Sequence, residues 1–342
     1  MKLKHLAMVS FGVLCSTQAV ADMAIADRAY AAGDFDAAFA EYTTASDLGN
    51  SYVQFMIGKM YANGQATTRS YELAALWYRR SANQGNARAQ NNLGGLYKAG
   101  RGVQQSYEEA RRWYRLAADQ GEPIAQVNLG SLYQYGQGVA TDMEIAASWY
   151  TKAARQDDPV AQSQLGTLFL EGAGVEKSAT IALRWFRRAA EKGMAIAQFN
   201  MATVLHHGHG VAADEAEAAK WYRLAAEQGH PEATNNLGIL YRDGLGVPRN
   251  VIVAFLLLAR ARGYESTRQM ASTTLMALTP RLSPEHLEMA LVLANTAKHG
   301  VTIFGAIDDF LRVTPTVWPV PADDQRRGFS VLSVPADGRT ET

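Results

Sequence analysis

Cysteine is almost missing from this chain: Cys15 is the only one in 342 residues. A fold stapled by its own disulfides is therefore excluded, and no thiol stands beyond residue 15 to act as nucleophile or zinc ligand. A surplus of either charge is also missing, with Lys plus Arg and Asp plus Glu at 33 each. Without a basic field, nucleic acid is not expected as a partner. The two longest apolar runs, 6–14 and 251–259, fall far short of the roughly 20 residues that span a bilayer, so no membrane-spanning segment is expected. Neither G-x-S-x-G nor H-E-x-x-H occurs, and no enzyme and no cofactor are expected.

What is present begins with a leader. Lys2 and Lys4 precede the apolar stretch Leu6 to Leu14, and Ala19-Val20-Ala21 offers a small-x-small cleavage site before Asp22. This pattern predicts a signal peptide over 1–21 and export to the periplasm or beyond. Leu14 is too bulky for the small residue cut ahead of a lipid-modified cysteine, which argues against a lipoprotein.

Self-similarity organises the rest. Trp-Tyr or Trp-Phe recurs at Trp77, Trp113, Trp149, Trp185 and Trp221, always 36 residues apart. Gly64, Gly100, Gly136, Gly172, Gly208 and Gly244 keep step with them, as do Ala74, Ala110, Ala146, Ala182, Ala218 and Ala254. Within one unit, Ala89, Leu93, Leu96 and Tyr97 share one face of a helix A. After the loop Gly100-Arg101-Gly102-Val103, Ala110, Trp113, Tyr114, Ala117 and Ala118 mark a helix B that stops at Gly121. Gly58, Gly94, Gly130, Gly166 and Gly238, with Ala202 in the fifth unit, lie inside helix A, where glycine costs about 1 kcal/mol. Close approach of helix B, through its alanine column, is the expected reason, with the Trp and Tyr rings filling the space between pairs.

The third unit shows the pattern in full: Ala125, Gln126, Leu129, Gly130, Leu132, Tyr133, Gly136, Gly138, Val139, Ala146, Trp149, Tyr150, Ala153 and Ala154, with Asp157 in place of the closing glycine. It resembles the Sel1-like repeat, a relative of the tetratricopeptide repeat. The resemblance implies an all-α, right-handed solenoid of antiparallel helix pairs with helix A on its concave side. It also implies an adaptor that binds a peptide or protein partner in envelope signalling or secretion. A cysteine-rich branch linked to penicillin binding is set aside, because its disulfide-forming pairs are missing here.

The expected organisation is a signal peptide (1–21), a tetratricopeptide-like cap (22–49), six repeats (50–263), C-terminal capping helices (264–300), and a short helix with a proline-containing tail (301–342). The apolar run 251–259 must be covered, and residues 268–297 are the candidate cover. There Ser283-Pro284-Glu285 starts a helix with Leu287, Ala290, Leu291 and Ala294 on one face.

Candidate chemistry is sparse. The loop glycines follow a helix rather than a strand and recur in every unit, so they read as connections and not phosphate cradles. His206, His207 and His209 could hold zinc or copper, but no other unit repeats them, and a solvent loop is the simpler reading. Arg79, Arg115, Arg187 and Arg223 form a column that would suit acidic groups or an anionic glycan, or simply a solvated face. The expected partner-binding positions are those of helix A that vary while the scaffold repeats: Phe55, Asn91 and Phe199 in one column, and Lys98, His206 and Arg242 in a second. Tyr135, Glu171, His207 and Asp243 make a third. A cell-wall glycan held by Tyr135, Phe199 and the arginines is the alternative partner.

Overall fold

The structure, a computed structural model, describes residues 23–46, 49–296 and 302–314. The expected leader with Cys15, and the expected tail beyond Thr314, lie outside the described residues. Two compact units divide the chain, Met1–Asp158 and Pro159–Thr342. Among the described residues all regular structure is helical.

The first unit holds α1 (23–32), α2 (Phe35–Ser46), α3 (Ser51–Asn63), α4 (Tyr71–Asn83), α5 (Ala87–Ala99), α6 (Tyr107–Asp119), α7 (Pro123–Tyr135) and α8 (Met143–Arg155). The second holds α9 (Pro159–Glu171), α10 (Ala179–Glu191), α11 (Ala195–His207), α12 (Glu215–Glu227), α13 (Pro231–Asp243) and α14 (Val251–Ala261). It ends with α15 (Arg268–Leu278), a 3₁₀ turn Thr279–Arg281, α16 (Pro284–Thr296) and α17 (Ile303–Val313). From α3 to α14, odd-numbered helices are helix A and even-numbered ones helix B. Within each unit every helix B packs both on its own helix A and on the next one. This is an all-α solenoid of antiparallel pairs.

Local chemistry sets the helix ends. Helix B starts after Ser70, Ser106, Asp142, Ser178, Asp214 or Asn250, and each of these side chains accepts a backbone N–H of the first turn, as Asp142 does from Ile145 at 2.8 Å. Each such cap stabilises its helix by about 1 kcal/mol. Helix A ends at a left-handed glycine, Gly100 at φ +66° for example, which any other residue adopts at a cost. Asp157, in the place of a closing glycine, carries the same left-handed backbone at φ +66°.

The mid-helix glycines do accept a neighbour, but the partner differs from the expected alanine column. A Cβ on Gly94 would lie 2.8 Å from a Tyr114 ring carbon, on Gly130 2.9 Å from Tyr150, and on Gly166 2.6 Å from Phe186. The ring that follows the tryptophan occupies the notch, and the alanines offer only backbone, such as the Ala110 carbonyl 3.2 Å from the same Gly94 position. Burial pushes the Tyr78 and Tyr222 hydroxyls up to about 12. Trp113 and Trp149 are buried, whereas Trp77, Trp185 and Trp221 are half-buried. The tryptophan fills the space between pairs only in part.

A polar relay runs beneath this apolar packing, built from a glutamine column whose role the repeat pattern alone does not disclose. Gln120, at the end of α6, donates its Nε2 to Gln90 Oε1 on α5 at 2.7 Å, and Gln90 Nε2 donates to the Ala82 carbonyl on α4 at 3.1 Å. Gln156, Gln126 and the Ala118 carbonyl repeat it at 2.9 and 3.2 Å, and Gln228, Gln198 and the Ala190 carbonyl at 2.8 and 3.1 Å. Each chain of bonds ties helix A to its own helix B and to the helix B before it. A Gln90→Leu substitution keeps the volume and breaks both bonds, so it is expected to cost about 2 kcal/mol. Adding Gln120→Leu should cost little more, because the two side chains belong to one chain of bonds. Urea unfolding of both singles and the double checks this, and full additivity would contradict it.

Both termini of the array are closed. Tyr42 is fully buried and its hydroxyl donates to Asp27 at 2.5 Å, which ties α2 to α1, while α2 packs on α3. At the other end the apolar helix α14 lies against α15 and α16. Leu275, Leu278, Ala290, Leu293, Phe304 and Ile307 join its core. Leu291, expected on the buried face of α16, is instead 63% exposed, because the face turned inward is that of Ala290 and Leu293.

Candidate functional site

The expected binding positions separate into buried and accessible ones. Phe55, Asn91 and Phe199 are 7%, 9% and 1% exposed, which corrects their placing on a surface. Helix A is enclosed from several sides, to the point that Ala233 through Tyr241 is buried without a break in α13. A column that varies on such a helix exchanges packing partners rather than ligands. Phe55 meets Tyr78 with ring centroids 6.0 Å apart, Phe199 stacks on His230 at 4.6 Å, and Asn91 accepts a hydrogen bond from Asn128 Nδ2 at 2.9 Å.

The other two columns reach the surface at the last turn of helix A. In the first unit Lys98 is half-buried, and burial holds its ammonium below the usual lysine range. Tyr135 there is 50% exposed, a large side chain that the scaffold does not use. In the second unit His206, His207, Arg242 and Asp243 gather at the ends of α11 and α13, and Glu171 is exposed at the end of α9. The rings of His206 and His207 meet edge-on at 4.9 Å, and His209 lies 5.0 Å from His207. Arg242 grips Asp243 through Nε at 2.7 Å and an Nη at 2.6 Å, and its carbonyl accepts Arg249 Nε at 2.8 Å. No group of three His, Cys, Asp or Glu among the described residues has the geometry of a metal site.

Electrostatics give this cluster a pH dependence. Burial lowers the pKa of His206 against the opposing pull of Asp243, and lowers that of His207 with further help from His206 and His209. At the N-terminus of α13, burial lowers His230 against Glu232. An imidazole with a folded pKa below its unfolded one binds protons more readily in the unfolded chain, so stability is complete above about pH 6.5 and falls on acidification. The melting temperature is expected to drop between about pH 7 and pH 5, and the drop should shrink in a His206→Gln, His207→Gln, His230→Asn chain. An equal drop in both would place the acid sensitivity elsewhere.

The arginine column is paired within the fold rather than bare. Arg79 donates to the Tyr97 hydroxyl at 2.5 Å, and Arg115 pairs with Asp119 at 2.8 Å and lies over the Trp149 ring. Arg187 reaches Glu217 at 2.8 Å, and Arg223 holds Glu227 at 2.9 Å and Asp308 at 2.5 Å. Each is engaged with its own unit, commonly with the next repeat. With Phe199 buried, the glycan alternative retains Tyr135 and the exposed Arg79, Arg115 and Arg187, whose surface pairs are weak.

The family model described as Sel1 repeat matches residues 51–86, 87–122, 123–158, 159–194, 195–230 and 231–262. Among solved structures, the chain is similar to a Sel1 repeat protein from Oxalobacter formigenes, with 33% identity over 70% of this chain and 98% of that one and a TM-score of 0.64. It is also similar to c5321, a protective antigen of uropathogenic Escherichia coli displaying an SLR fold, with 30% identity over 92% of this chain and 73% of that one and a TM-score of 0.55. No curated protein matches the chain.

Proposed function

Because this chain belongs to the Sel1 repeat family, whose solenoids are generally scaffolds for protein–protein interaction, we propose that it is an exported adaptor of the bacterial cell envelope. Its partner is a protein or peptide, held at the last turns of the second unit's A helices, in the service of envelope signalling or secretion. Export rests on the leader pattern of residues 1–21. No helix among the described residues is long and apolar enough to cross a membrane.

One observation carries the reading. Most of the residues that cap, notch and relay recur from repeat to repeat, with Ala202 in place of a notch glycine and Lys192 and Thr234 in place of relay glutamines, whereas the accessible helix-A ends of the second unit differ: Glu171, the His206–His207 pair and the Arg242–Asp243 pair. A surface left free to vary on an otherwise constant frame suits a specific protein contact, with a few aromatic and charged anchors.

In-cell crosslinking followed by capture tests it, using the wild-type chain beside one with Glu171→Lys, His207→Ala and Asp243→Lys. A discrete envelope protein taken by the first and lost by the second is the expected result. The same proteins with both chains would move binding away from the helix-A ends. Fractionation settles export independently, and a chain that stays cytoplasmic with its leader uncut would end the envelope reading.

A further inference from the structure

Between α16 and α17 lies an open groove of about 680 Å³. Its surface is apolar, from Met289, Val292 and Leu293 on α16 and Ala306, Phe310 and Val313 on α17. Val292 and Val313 are 60% and 75% exposed. Adjoining apolar side chains held open to water mark interaction surfaces more often than chance exposure. They are not here for want of a core to join, since the same helices pack into the core of the second unit through Ala290, Leu293, Phe304, Ala306 and Ile307.

The rim carries one sign of charge in excess. Glu285 and Glu288 border the groove on α16 and Asp309 on α17. Asp309 has Arg312 at 3.2 Å, an exposed pair with both side chains over two-thirds accessible, and such a pair holds little energy against a competing cation. Glu285 and Glu288 have no ion pair among the described residues. An apolar floor between acidic walls suits an amphipathic helix whose leucine-type anchors enter the groove while lysine or arginine side chains meet the rim.

We propose that this groove docks a short basic amphipathic helix of a partner protein. The proposal takes from the adaptor reading only that the chain has a protein partner, and its site is separate from the helix-A ends.

Fluorescence anisotropy with a labelled synthetic helix, leucines on one face and lysines on the other, tests it on the purified full chain. The peptide is expected to bind, and Glu285→Lys with Glu288→Lys should weaken it at least tenfold, as should Val292→Ser with Val313→Ser. A distant charge reversal, Glu144→Lys with Glu176→Lys, controls for unspecific attraction and should leave binding unchanged. Equal affinity in all variants, or no binding to the wild type, would overturn the proposal. So would tighter groove binding by a peptide of residues 315–330, which would assign the groove to the chain's own tail. If the groove variants bind normally while the helix-A variant still loses its crosslinked partner, only the groove proposal falls. The reverse pattern removes the helix-A site and leaves the groove.

Discussion

A Gly102→Ala chain is expected to lose about 4 kcal/mol of stability, from one added methyl group. Position 102 has a left-handed backbone, φ +66°, which costs an L-residue roughly 1–2 kcal/mol. A Cβ there would also lie 2.2 Å from the Tyr71 carbonyl carbon, at the first residue of the preceding helix B. Backbone cannot rotate out of the way, so relief requires the two repeats to move apart, and overpacking adds its own cost. The same loop glycine recurs with different crowding, which turns the argument into a ranking. Gly246 faces the Glu215 carbonyl at 2.1 Å, Gly138 faces Tyr107 Cβ at 2.5 Å, and Gly210 meets only the Ala179 methyl at 3.0 Å. Alanine should therefore hurt most at 102 and 246, less at 138 and least at 210. The first repeat supplies a natural control, since Ala66 occupies the equivalent place at φ 60°, and Ala66→Gly should change stability by under about 1 kcal/mol. Thermal unfolding followed by near-ultraviolet circular dichroism of the tryptophans would read the series. Equal effects at 102 and 210 would remove crowding as the cause.

Ending the chain at Gly263 is the second change with a large expected effect. It strips α15 and α16 from α14, eight of whose eleven residues are buried in the intact fold, and removes α17 with them. Leu275, Leu278, Leu293, Phe304 and Ile307 all leave the core, and each fully buried side chain of this size contributes about 1.5–3 kcal/mol. The loss is on the order of 10 kcal/mol at its upper bound, comparable with the whole stability of an ordinary domain. In a stack where each repeat leans on its neighbours, fraying then starts at α14 and works inward. The shortened chain is expected to aggregate, and in whatever fraction stays soluble the amides of α13 and α14 should exchange first. A monomeric, fully protected truncation would show that the last repeat is stable uncovered. Phe304→Ala in the full chain, expected to cost about 4 kcal/mol, probes the C-terminal cover more gently.

Much of this frame was legible from the residues. A spacing of 36 that holds for Trp, Gly and Ala at once leaves little freedom in placing the helices, and Ser283-Pro284 announces α16 where it begins. The binding positions were less legible, for definite reasons. The column of Phe55 and Phe199 varies from repeat to repeat, a pattern that a surface position also shows. On a helix buried from several sides, however, a position can vary by trading one packing partner for another, as Phe199 does with His230. The arginine column lay in register along the chain, yet register says nothing of what each guanidinium meets in the adjoining repeat. Gln90 and Gln126 stood in plain view within the repeat pattern, but a glutamine announces neither its donor nor its acceptor. Only Gln120 recurring 30 residues after Gln90, with Gln156 the same distance from Gln126, could have prompted the pairing.

That relay has a genealogical consequence. Gln90 addresses a carbonyl of the preceding repeat through the same atoms that Gln126 uses one repeat later. A gene duplication that inserts one more 36-residue copy thus creates two new junctions already furnished with donor and acceptor, and a deletion heals just as cleanly. The number of repeats becomes a trait that recombination can alter in single steps. Descendants of one ancestral array can then differ in length before any joint between repeats has had to be reinvented.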